Sequence, residues 1–115
     1  MSNDPVVLQL EAYNARDVER FVKCFTEDVI VEDASGTRLL TGIEAFRTSY
    51  AAMFAASPAL HCRVVHRMRA GSFVVDEERV TGRGAAELHV IVVYTLREAQ
   101  GSAIEHLIAA VRVLR

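Results

Sequence analysis

The chain has 115 residues, enough to bury one hydrophobic core but not two. Its formal net charge is −2 and it has no basic block, which leaves a nucleic-acid partner without an electrostatic footprint. No apolar run approaches the ~20 residues a membrane helix needs, and "MSNDPVV" has no basic segment ahead of an apolar one, so the sequence reads as cytoplasmic with no membrane partner.

The first element is a helix. Asp4 is placed to cap it with Pro5 at its first position, and Val6, Leu10 and Tyr13 recur on one face. Asn14-Ala15-Arg16 makes a tight connection, and Asp17 caps a second helix with a stripe of Val18, Phe21, Val22 and Phe25. A short strand, Val29 to about Asp33, follows and ends in a turn at Gly36. Thr41 and Glu44 fit a capping box that starts a third helix. Its inner face is Phe46, Tyr50, Met53 and Phe54, and Ser57-Pro58 closes it.

From residue 61 the texture changes to strands. "HCRVVHRMRA" alternates Cys62, Val64, His66 and Met68 against Arg63, Arg67 and Arg69. Gly71 marks a turn into "SFVVDEERVTG", and two further strands are separated by a turn around Gln100-Gly101. Helices followed by antiparallel strands predict an α+β fold over residues 1–115 as one domain. Cys24 and Cys62 have no metal-like spacing and read as free thiols. No His/Asp/Glu group has metal spacing either, so neither a metal nor a cofactor is implied.

The order of elements, with "AYNARDVERFVKCFTEDVIVED" and "LLTGIEAFRTSYAAMF", resembles the nuclear transport factor 2-like superfamily, in particular its SnoaL-like and ketosteroid isomerase-like groups. The resemblance implies a cone-shaped, curved, mainly antiparallel sheet wrapped around three N-terminal helices, an apolar pocket, and a homodimer through the outer face of the sheet. It places Asp33 where the isomerases keep the aspartate that moves a proton between carbons. That isomerase chemistry is a known example of pKa tuning, with a tyrosine and a protonated aspartic acid as oxyanion donors. Here the tyrosine position falls on Gln9 and the aspartic acid position within Val92-Val93, so both donors are absent.

Asp33 has two readings: a carboxylate carried inward on the face of Val29 and Val31, or a residue bonding its own turn at Ala34-Ser35-Gly36. The first predicts burial and a raised pKa. In "VVDEERV", Val74, Asp76, Glu78 and Val80 share a face, and alignment at Gly82 turns Asp76 and Glu78 toward the pocket. Acids there suit proton transfer; the other reading sets them in solvent or against Arg63 and Arg67. His66 is expected on the inner face, where a carboxylate such as Asp76 could orient it as a base. Catalytic candidates are therefore Asp33, His66, Asp76 and Glu78. Tyr13, Tyr50, Phe54, Val92 and Tyr94 are expected to line the pocket.

Two functions follow. One is a cofactor-independent isomerase, dehydratase or cyclase acting on a small apolar carbonyl compound. The other is a non-catalytic ligand-binding or dimerisation module of the same fold.

Overall fold

A computed structural model describes residues 3–99 and 105–115. The turn expected around Gln100-Gly101 lies outside them. Three helices, α1 (Pro5–Ala15), α2 (Val18–Val22) and α3 (Ile43–Ala56), pack on one sheet. Its strands are β1 (Phe25–Glu32), β2 (Arg38–Thr41), β3 (His61–Ala70), β4 (Phe73–Thr81), β5 (Leu88–Glu98) and β6 (His106–Leu114), in the spatial order β2-β1-β6-β5-β4-β3. Every pairing is antiparallel except β1 with β6. The architecture is the α+β fold expected from the element order, with the sheet over three helices that the resemblance implies.

The caps of the first two helices form as their residues dictate. The Asp4 carboxylate accepts from Val6 N–H at 2.9 Å with Pro5 at the first turn, and Asp17 accepts from Arg20 N–H at 3.2 Å. Between them Arg16 sits at φ 53 and closes α1. Asn14 then docks that end of α1 on β3. Its amide donates to Cys62 O at 3.0 Å and accepts from Cys62 N at 2.7 Å, as a neighbouring strand would.

Three local expectations need correction. Phe25 does not extend the α2 stripe; it opens β1 opposite Ile108, because the β-branched alternation that follows continues into the sheet. A strand, β2, forms where only a turn and helix cap were read, since four residues are too few to show a period. The α3 cap is Gly42 rather than Thr41, with no side-chain bond. Gly42 has φ 87, a region open to glycine, and its N–H is used by Val29 O at 2.7 Å.

The inner face of the sheet and the helices bury one aromatic cluster, in which Phe21 stacks on Phe46 at 5.5 Å and Phe25 lies 4.4 Å from Phe46. On the outer face Val65, Met68, Phe73 and Ile91 stay exposed.

Candidate functional site

The site depends on an irregularity in β3. Val64 pairs with Glu78 and His66 with Glu77, so Val65 is an extra residue on the β3 side. One inserted residue inverts every later side chain of the strand. Arg67 therefore comes to lie opposite Asp76, on the inner face, while His66 and Met68 turn outward into solvent. The expected pairing of His66 with Asp76 does not form. Asp76 instead receives both arms of the Arg67 guanidinium, at 2.7 and 2.8 Å. Asp76 is fully buried, and this bidentate geometry is what a buried carboxylate needs. Further along, Arg69 pairs with Asp4 and ties β3 to the start of α1.

On β4 the expected register holds: Val74, Asp76, Glu78 and Val80 are all buried on the inner face. Glu78 lies in the wall of a cavity of about 820 Å³, within the range of small-molecule sites. The Tyr94 hydroxyl donates to Glu78 Oε2 at 3.1 Å, and Gln9 Nε2 donates to the Tyr94 oxygen at 3.3 Å. The Cys62 thiol lies beside the Glu78 carboxylate.

Burial raises the Glu78 carboxyl to about 7. The Cys62 thiol opposes this, the neighbouring Asp76 charge adds to it, and Tyr94 and Arg67 oppose it in turn. Desolvation holds the Tyr94 phenol and the Cys62 thiol well above their ordinary values, with the Glu78 charge adding to both. Tyr94 is thus a neutral donor rather than a phenolate. One carboxyl poised near neutrality, with two neutral donors beside it, can either take or give a proton.

Tyr13 and Tyr50 line the same cavity, and among the described residues neither hydroxyl has a hydrogen-bond partner. Burial raises the Tyr50 phenol to about 12 and Tyr13 higher still, so both remain protonated. Phe54 packs edge-on against Tyr13 at 5.5 Å and belongs to the core beneath the cavity. Val92 and Tyr94 face inward and line the cavity as expected.

Asp33 also lines the cavity, but at its rim. Its carboxylate does not point into the cavity. Oδ1 accepts from Ser35 N–H at 2.9 Å, Ser35 Oγ–H at 2.7 Å and Thr37 N–H at 3.0 Å. The turn Ala34-Ser35-Gly36 presents three donors to the first carboxylate it meets, which is the second of the two readings of this residue. The Ser35 hydroxyl, followed by the Thr37 N–H, lowers the Asp33 pKa, where burial would have raised it.

Sequence reasoning singled out Asp76 and Glu78, named Gln9, and gave pairing of these acids with Arg63 and Arg67 as one of two readings; it missed Cys62 as part of the site. On the unbroken alternation of "RVVHR" Arg67 falls on the face opposite His66, and only the extra residue in β3 turns it inward. Among the described residues, no group of three or more His, Cys, Asp or Glu is gathered to hold a metal ion.

A curved sheet closing over three helices around such a cavity is the cystatin-like, nuclear transport factor 2-like architecture. More narrowly, the SnoaL-like domain profile matches residues 6–106, and the chain belongs to that family. Three solved structures are similar. A cystatin-fold protein from Novosphingobium aromaticivorans is 27% identical with a TM-score of 0.82, over 100% of this chain and 99% of that one. A putative polyketide cyclase from Sinorhizobium meliloti is 21% identical with a TM-score of 0.77, over 96% of this chain and 93% of that one. A protein from Catenulispora acidiphila with a ketosteroid isomerase-like fold, in complex with trimethylamine, is 21% identical with a TM-score of 0.67, over 98% and 85%. No curated protein matches the sequence.

Proposed function

We propose that the cavity binds a small apolar carbonyl compound and that Glu78 moves a proton to or from its carbon framework, as in a cofactor-independent isomerase, dehydratase or cyclase. The observation that carries this reading is a buried carboxyl raised to about 7, hydrogen-bonded to Tyr94, in the wall of a mainly apolar cavity. In the ionised form Glu78 abstracts an acidic C–H proton, leaving an enolate. The unpartnered hydroxyls of Tyr13 and Tyr50 are the donors available to the developing oxygen charge, in place of the donors missing at Gln9 and Val92. The proton held by Glu78 then returns to a second position. Asp33, His66 and Asp76 carry no proton in this reading: Asp33 bonds its own turn, His66 faces outward and Asp76 is paired with Arg67.

The cavity suits exchange at a generic bicyclic ketone. With 2-tetralone in D2O, proton NMR should show loss of the α-proton signals faster than in buffer. The rate should rise with pH through a midpoint near 7 and fall at least ~10²-fold in Glu78→Gln. The alternative, a binding module without chemistry, draws on the absence of the family's donors at Gln9 and Val92. Binding of the ketone with no acceleration of exchange would favour that alternative.

The same reading has the chain as a homodimer through the outer face of its sheet. The exposed Val65, Met68, Phe73 and Ile91 support it, and Val93 is half-buried there. Val111 is buried against the cavity and adds nothing to that face. Light scattering at micromolar concentration should give a two-chain mass; a one-chain mass would remove the dimer.

A further inference from the structure

The cavity has a chemical direction. Its buried lining includes Gln9, Glu78, Val92 and Tyr94, whereas Ser35, Leu39, Arg83 and Arg115 are exposed and mark its mouth. The acid-base group is therefore inside and the cations are outside. Glu78 lies three residues before the end of β4 at Thr81, about 10 Å at the ordinary rise of a strand, and Arg83 is two residues beyond.

The position of Arg83 is fixed by Gly82. That residue has φ +81, and a Cβ on it would stand 2.1 Å from Ala59 O and 2.6 Å from Leu60 N. The chain passes so close to the end of α3 that only glycine fits, and it leaves that contact with Arg83 over the cavity. Arg115 follows the last residue of β6 at the same end of the sheet.

Half of the twelve arginines are paired with carboxylates among the described residues. Arg47, Arg67, Arg69, Arg79, Arg97 and Arg112 each make an ion pair with a carboxylate. Arg83 and Arg115 make none among the described residues, and both line the cavity mouth and the smaller hollow beside it. The acid at that rim, Asp33, has its Oδ1 held by the donors of its own turn. An anion placed deep in the cavity would meet Glu78 and apolar walls, whereas an anion at the mouth meets two free guanidinium groups.

Resting on the reading of the cavity as a ligand site, we propose that the ligand is an amphipathic organic acid. Its apolar, carbonyl-bearing body enters toward Glu78, and its carboxylate stays at the mouth on Arg83 and Arg115. The acid group sets orientation: it holds one end of the molecule at the rim and presents the other to the proton-transfer group.

The test compares two probes of one shape, 1-naphthylacetate and the neutral 1-naphthylacetamide, titrated by calorimetry at pH 8 and low salt. The acid should bind about fivefold to tenfold more tightly, and the advantage should shrink in 0.5 M NaCl. In the doubly substituted Arg83→Ala/Arg115→Ala protein the acid should fall to the affinity of the amide, with amide binding unchanged. Both sites are exposed, and an unchanged melting temperature would confirm that the variant is folded. Equal affinities in the wild-type protein, or an advantage that survives the double substitution, would overturn the proposal while leaving the cavity as a ligand site. Failure of both probes to bind at millimolar concentration would overturn the ligand-site reading and the proposal with it. Glu78→Gln should leave the ratio of acid to amide affinity on the acid's side, which separates the role of the mouth from proton transfer.

Discussion

Asp33 and Glu78 line one cavity, yet the first stands at the rim among three hydrogen-bond donors and the second is sunk in the wall between a thiol and a phenol. The pKa of Asp33 is lowered by its turn and that of Glu78 is raised to about 7 by burial. Strand-end position is shared by many carboxylates; what separates these two is the supply of nearby N–H and O–H donors. A tight turn supplies them at no cost in solvation, and a sheet interior does not, so proton-transfer capacity passes from β1 to β4.

The largest effect should come from unpairing the carboxylate next to Glu78. Arg67→Ala leaves Asp76 buried without its guanidinium, and the melting free energy should drop by about 3–5 kcal/mol in urea titration. Replacing both members, Arg67→Met with Asp76→Leu, should recover most of that loss. An Arg67→Ala protein as stable as wild type would mean that the inner face is wetter than a buried pair requires.

Next is Glu78→Gln. Between about 4.5 and about 7 the folded chain holds a proton on Glu78 that the unfolded chain has released. Wild-type stability therefore falls as pH rises through that window and is level above it. Gln keeps the shape and an acceptor for Tyr94 but cannot ionise. Its stability relative to wild type should grow by roughly 1–3 kcal/mol between pH 4 and pH 8, read as melting temperatures at both pH values. A difference that does not change with pH would erase the contrast between the two carboxylates.

The smallest effect belongs to Asp33. Ala in its place removes the acceptor for Ser35 and Thr37, so the melting temperature should fall, and Asn, which keeps an acceptor oxygen, should fall less. Its pH dependence is opposite to that of Glu78: a lowered carboxylate pKa stabilises at neutral pH, and that part is lost on acidification through the folded value. Ketone exchange should be unaffected by Asp33→Ala. A rise in melting temperature would revive the inward reading of this residue.

The helix caps at Asp4 and Asp17, the inner face of β4 and the order of elements were legible because each rests on short-range chemistry or a sustained period. Arg67 was legible only as one of two readings of the β4 acids, and its inward place was not. Whether "RVVHR" runs straight or carries an extra residue at Val65 is decided by pairing with β4, and one residue of slip exchanges His66 for Arg67 as the neighbour of Asp76. For Asp33, alternation with Val29 and Val31 pointed inward, but the polar turn that follows redirected the carboxylate once the strand ended. The resemblance pointed to the cavity; it could not say which carboxylate burial would dominate.

The most direct test is a titration of the glutamate side chains by NMR, with carboxyl carbons labelled with carbon-13 and the Glu78 signal assigned by its absence in Glu78→Gln. The account predicts a midpoint near 7 for that signal, set apart from the exposed glutamates at about 4–5. A Glu78 midpoint within the exposed range would contradict it, because a carboxyl already ionised at that pH is neither desolvated nor poised to carry a proton at neutrality.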